Sequence, residues 1–83
     1  MFTIIFDKKA IHYLNQLESS VKERIWNKLQ NCKEDPLRYF EKLVEINGFK
    51  LRVGDWGVIA NIDGVNKQII VVKVGHRKNV YER

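Results

Sequence analysis

The stretch from Phe49 to Tyr81 constrains this chain most, because its alternation and turn residues specify three short strands and a basic tail. Phe49-Lys50-Leu51-Arg52-Val53 alternates apolar and basic residues with period two. An extended chain sends Phe49, Leu51 and Val53 to one face and Lys50 and Arg52 to the other. A turn at Gly54-Asp55 leads into a second strand, Trp56 to Ile62. Asp63-Gly64 then supplies the residues that a tight hairpin with positive φ requires. The third strand, Gln68 to Val74, is nearly all β-branched and ends in Gly75-His76-Arg77-Lys78-Asn79-Val80-Tyr81. One face of such a sheet packs a core, and the other displays positive charge.

The last strand offers two inward sets, Ile70, Val72 and Val74 or Ile69, Val71 and Lys73. A lysine in a core without a partner is costly, so the first set is expected to face the core. The open face then carries Lys50, Arg52, Ile59, Asn61, Val71 and Lys73, with Arg77 just beyond the strand. No carboxylate is expected on that face. A structural salt-bridge surface would mix signs, so the pattern favours phosphate binding. An exposed strand lysine also serves simply to discourage edge pairing, and spacing alone leaves that alternative open.

Ahead of this unit, Thr3 to Phe6 reads as a short strand, and Asp7 is placed to cap a helix. Ala10, Leu14 and Leu17 recur at helical spacing with Tyr13 beside them, while His12 falls on the solvated side. Glu18-Ser19-Ser20 separates this helix from a second, for which Ser20-Val21-Lys22-Glu23 is a capping box. Val21, Ile25, Leu29 and Cys32 form its apolar stripe, with Trp26 at the edge. The two helices are expected to form an antiparallel hairpin over the sheet. Asp35-Pro36 ends the second helix. Leu37, Tyr39, Phe40, Leu43, Val44 and Ile46 make the next segment too apolar for a solvated linker, so it must pack.

The 83 residues suffice for one domain, 1–83, with one modest core. The net charge of +5 is unevenly spread. Residues 1–47 carry eight Lys/Arg against seven Asp/Glu, and residues 48–83 carry seven against three. The excess on the hairpin half points to a polyanionic or acidic partner there. Cys32, the single cysteine, allows no intrachain disulfide, and no histidine stands at a metal-ligand spacing from it. No apolar run of about 18 residues exists, so no membrane span is expected. Met1 to Phe6 has no basic region ahead of it and is too short for a signal peptide, so a cytoplasmic location is expected.

The tail brings groups that can do chemistry. The His76 imidazole can give or take a proton, Arg77 can hold a phosphate with two hydrogen bonds, and Tyr81 can stack on a base or exchange a proton. Phosphodiester cleavage needs a base for the attacking hydroxyl, cations for the developing charge and an acid for the leaving oxygen. No Asp/Glu cluster suits a two-metal site, so any cleavage is expected to be metal-independent and to need no cofactor.

The run Phe49-Lys50-Leu51-Arg52-Val53-Gly54-Asp55-Trp56 followed by Gly75-His76-Arg77-Lys78-Asn79-Val80-Tyr81 resembles the RelE/ParE toxin superfamily. The closing Gly-His-Arg-x-x-x-Tyr is the more specific half, and the resemblance covers almost the whole chain. It implies an α+β fold, β-α-α-β-β-β, with a two-helix hairpin on one face of a small, mostly antiparallel sheet. It also implies a type II toxin that cleaves messenger RNA in the ribosomal A site by 2′-hydroxyl attack, without a metal. On that likeness Lys50, Arg52, Arg77, Tyr81 and His76 are the catalytic candidates, with Lys73, Lys78 and Asn61 contacting RNA. The implied partners are a cognate antitoxin, the ribosome and messenger RNA. The antitoxin is expected to be an amphipathic, partly disordered acidic segment that masks the basic face. Two alternatives stay open: a ParE-like inhibitor of a topoisomerase, and a weakened member that only binds RNA or antitoxin. One position departs from the pattern, since Gly57 stands where the family commonly carries an arginine on the active face. Gly57→Arg is therefore expected to speed cleavage with little change in stability.

Overall fold

The computed structural model describes residues 1–44 and 47–80. Strand β1 (Thr3–Phe6) leads to helices α1 (Lys8–Asn15), α2 (Ser19–Cys32) and the one-turn α3 (Pro36–Tyr39). Strands β2 (Glu41–Lys42), β3 (Phe49–Val53), β4 (Trp56–Asp63) and β5 (Gln68–His76) follow, then a last turn of helix, α4 (Arg77–Val80). The five strands lie in the order β1-β5-β4-β3-β2. Only β1 and β5 are parallel, and every other neighbouring pair is antiparallel. The expected β-α-α-β-β-β frame is present, with α3, β2 and α4 added to it.

The local signals explain most boundaries. Asp7 caps α1, its Oδ1 accepting from the Ala10 N–H at 2.9 Å. The expected capping box at Ser20 does not form. Helix α2 begins at Ser19 with Glu18 as its extended cap residue and no side-chain cap bond. Ser20 already stands inside the first turn, and the Val21 and Lys22 N–H groups bond to the Glu18 carbonyl instead. Pro36 sits at the start of α3, where its missing N–H costs nothing. The apolar segment after it packs in part. Phe40 is buried, Glu41 and Lys42 pair with Lys50 and Phe49, and Leu37 and Val44 remain exposed.

The two hairpins differ. Gly54 turns the first with φ +62, and a Cβ there would come within 2.6 Å of Arg24 Nη2 on α2. In the second, Gly64 does not take positive φ; Lys67 does, at +56. The loop is four residues long because Asp63 pairs with Gln68. Asp63 Oδ1 accepts from the Val65 and Asn66 N–H groups, and that side-chain cap replaces the tight turn expected at Asp63-Gly64.

The core lies between the sheet and the helices. Ala10, Ile25, Leu29 and Cys32 from the helices meet Leu51, Val53, Val58, Ala60, Ile69, Val71 and Val74. Leu14, Leu17, Val21, Phe49 and Ile62 flank this set, half-buried. The assignment of β5 needs correction. Ile69 and Val71 are fully buried, and Ile70 and Val72, expected inward, are only partly covered. The reason is a register shift between Ile59 and Ala60, across which Ala60 pairs with Val71 but Ile59 with Lys73. The extra residue, Val72, exchanges the faces of the strand. Ile69 and Val71 point inward before it and Val74 after it, so neither strictly alternating set was right. Lys73 still faces away from the helices.

Candidate nucleic-acid interface

Cross-strand pairing arranges the face opposite the helices in rows. Lys50, Ile59 and Lys73 stand side by side on β3, β4 and β5. Arg52, Gly57 and Gly75 form the next row. Strands lie about 4.8 Å apart, which puts the Lys50 and Lys73 Cα atoms about 10 Å from each other across Ile59. Asn61 follows in the third row, exposed and opposite Ile70. Arg77 begins α4 at the open end, where its N–H donates to the Asp55 carbonyl at 2.9 Å. Lys50, Arg52, Lys73 and Asn61 thus share one surface, with exposed Arg77 and Lys78 at its end.

That surface is not free of carboxylates, contrary to expectation. Strand β2 brings Glu41 opposite Lys50, with Oε2 3.7 Å from Lys50 Nζ. An exposed pair of this kind contributes about 0–1 kcal/mol, so a phosphate can displace it. Nothing in the residue pattern marks it, because a two-residue strand has no periodicity of its own.

His76 is separated from the basic rows. It pairs with Trp56, which pairs with Val53, so all three lie on the helix-bearing side. Its ring meets Trp56 edge-on at 5.5 Å, and Nδ1 accepts from the Lys78 N–H at 3.2 Å. That bond leaves the proton of a neutral ring on Nε2. His76 and Lys73 nonetheless come together at the edge of β5. There a cavity of about 340 Å³ is lined by Tyr13, Leu17, Lys73, His76 and Asn79 among others. Tyr81 lies outside the described residues.

Gly57 is buried, not open. Helix α4 lies against β4 and β5, and Val80, 1% exposed, sits 3.7 Å from where a Cβ on Gly75 would be. Gly75 therefore gives α4 a shallow seat beside Gly57, its buried cross-strand partner, and this is a structural reason for glycine inside a strand. Ile59 is likewise 6% exposed on the same face, and a Cβ on Gly48 would lie 3.6 Å from its Cγ2.

A second cleft, of about 290 Å³, follows the edge of β3 where β2 stops. It is lined by Lys28, Tyr39, Glu41, Lys50, Leu51 and Arg52. Sequence reasoning missed Lys28, Tyr39 and Glu41, and the available signal was an aromatic beside Arg38 in a segment known only to be too apolar for a linker. The two groups with clear pKa shifts lie elsewhere. Burial pushes the Cys32 thiol up, partly opposed by the Lys28 charge. Hydrogen bonds from the Asn66 backbone and side chain, then Val65, hold Asp63 down. Among the described residues no group of three or more His, Cys, Asp or Glu could hold a metal ion, and no helix is long and apolar enough to cross a membrane.

A small mostly antiparallel sheet, helices on one face and cations on the other, is the architecture of the compact toxins to which the sequence pointed. The family model described as the ParE toxin of type II toxin–antitoxin systems matches residues 4–81. The chain therefore belongs to that family, within the RelE/ParE superfamily, and is a type II toxin. Solved structures agree in fold. A RelBE toxin–antitoxin complex from Mycobacterium tuberculosis matches with a TM-score of 0.85 at 23% identity, over 92% of this chain and 98% of that one. The intact Escherichia coli RelBE complex matches over 100% of both chains, with a TM-score of 0.76 and 24% identity. An archaeal RelE–RelB complex from Pyrococcus horikoshii gives 0.74 at 16% identity, over 95% and 98%. No curated protein matches the chain.

Proposed function

We propose that this toxin is a ribosome-dependent endoribonuclease that cleaves messenger RNA in the A site without a metal and so inhibits translation. The observation that carries the reading is the clustering of Lys50, Arg52 and Lys73 on adjoining rows of one sheet face, with Arg77 at its end. Such a surface complements the phosphate backbone and the charge that develops on a cleaving phosphodiester. In this mechanism the 2′-hydroxyl attacks the adjacent phosphorus, a P–O bond forms, and the bond to the 5′-oxygen breaks. A 2′,3′-cyclic phosphate and a 5′-hydroxyl result, with one proton taken from the nucleophile and one given to the leaving oxygen. Lys50, Arg52 and Arg77 hold the phosphate, and Tyr81 orients the base or moves a proton. His76, across the sheet and packed on Trp56, is better placed to position α4 through the Lys78 N–H than to touch the scissile bond.

The partner is a cognate antitoxin, as in the RelBE and RelE–RelB complexes of similar fold. An acidic segment folding onto the basic face would mask it. A second reading, a ParE-like inhibitor that binds a topoisomerase, draws on the family model's description as a ParE toxin, whereas Gly57 in place of the family's usual arginine favours a weakened member that only binds RNA or antitoxin. Primer extension on messenger RNA translated with and without the protein separates the two. New 5′ ends inside codons support cleavage. Intact messages, together with loss of supercoiling activity in a purified topoisomerase, support the second reading.

A further inference from the structure

We infer that the cleft at the edge of β3 is a nucleotide subsite, in which Tyr39 stacks on the base flanking the phosphate held by Lys50 and Arg52. The inference rests on the cleavage reading only for what occupies the basic face. The cleft itself is defined by its own groups. Tyr39 is 38% exposed, so part of its ring is open to solvent at the cleft. Two cations attend it instead, Lys28 Nζ at 5.5 Å from the ring centre and the Arg38 guanidinium at 5.9 Å. A partly open ring with half-buried Lys28 and exposed Arg38 beside it attracts a polyanion and offers a π-face, the combination by which single strands are held. An incoming base replaces one of these cations on the ring, and the displaced charge is left beside the phosphates. The volume of about 290 Å³ suits one nucleotide rather than a duplex.

Glu41 gives the cleft a direction. A carboxylate among Lys28, Lys50 and Arg52 repels phosphate, so a plain phosphate cradle would not include it. It accepts hydrogen bonds from the exocyclic amine of cytosine, adenine or guanine, a donor that uracil lacks. When a phosphate takes Lys50 from Glu41, the carboxylate is freed for that contact. The subsite is thus expected to disfavour uracil.

The test is fluorescence anisotropy with short labelled single-stranded RNAs at fixed salt, using the full chain and measuring the Tm of each variant. The probes are a cytosine-containing trinucleotide, its all-uracil counterpart, and an abasic trimer of equal charge. Stacking of one base on an aromatic side chain is worth about 1–3 kcal/mol, or roughly 5- to 150-fold in affinity. Tyr39→Ala should weaken the cytosine probe within that range and leave the abasic probe unchanged, while Tyr39→Phe should bind like the parent. Glu41→Gln should narrow the preference of cytosine over uracil. Equal binding of the abasic and cytosine probes by the parent, or a Tyr39→Ala variant as tight as the parent, would overturn the subsite. If Lys50→Ala weakened all three probes while Tyr39→Ala weakened none, the subsite would be overturned and the phosphate-binding face on which the cleavage reading rests would stand. Loss of probe binding only in variants that also melt early would count against the subsite too.

Discussion

Gly57→Arg restores the side chain usual in the family, and the structure makes its cost calculable. Gly57 lies directly opposite Arg52 on one side and Gly75 on the other, under a helix whose Val80 is 1% exposed. Gly57 is buried on β4, against which α4 packs, so a guanidinium there is expected to displace part of α4, with Val80 taken as the residue that loses its burial. Losing the burial of one valine costs about 1.5–3 kcal/mol. A like charge directly across the strand pair adds up to about 1 kcal/mol. Removing a strand glycine returns about 0.5–1 kcal/mol. The balance is a loss of roughly 1–3 kcal/mol, or about 5–20 °C in Tm for a domain of this size. The earlier expectation of unchanged stability is thereby replaced. Differential scanning calorimetry of parent and variant measures the shift, and the expected gain in cleavage should be sought at a temperature where both are folded. A Gly57→Arg variant within about 2 °C of the parent would refute the account of α4 seated on Gly75 beside Gly57.

Four further outcomes follow from the same geometry. Lys50→Ala and Arg77→Ala should abolish growth arrest at equal expression, with Tm nearly unchanged, since one makes an exposed ion pair and the other is exposed. Asp63 has a depressed pKa in the fold, so its contribution is present above its unfolded value near pH 4 and is lost as pH falls through the lower folded value. The Tm difference between parent and Asp63→Ala should accordingly narrow on acidification below about pH 4, and a constant difference would contradict the capping role. Cys32 is fully buried, its thiol raised by burial and its Sγ donating to the Lys28 carbonyl at 3.1 Å. It should react with a disulfide reagent only as fast as the chain unfolds.

What the sequence revealed and what it hid divide along physical lines. Phe49 to Val53 is legible because one strand face is buried, and a period-two pattern can then mean only one thing. The stripe of Val21, Ile25, Leu29 and Cys32 is legible for the same reason at helical period. The inward set of β5 was misjudged because every residue from Ile69 to Val72 is apolar, so nothing in the pattern marks the bulge that exchanges the faces. Asp63-Gly64 suggested a tight turn, but the Asp63 side chain organised a longer loop through Val65 and Asn66. Lys50, Arg52 and Lys73 were placed correctly on one face, and Arg77 at its end. His76 was not brought to them, because β5 extends two residues further than Val74 and alternation carries the ring to the other side. Glu41 and Tyr39 were not placed beside the basic face, since α3 and β2 are too short to have a period. Gly57 is buried on a strand against which α4 packs, and no sequence pattern announced that single turn.

The central claim is that the basic face cleaves RNA, and single-turnover cleavage on ribosomes programmed with a defined message tests it most directly. The parent should cut within the A-site codon and leave a 2′,3′-cyclic phosphate on the upstream fragment, while the Lys50→Ala/Arg52→Ala variant, folded to the same Tm, should be slower by orders of magnitude. Equal rates in the two proteins, or an uncut message with the parent, would contradict it.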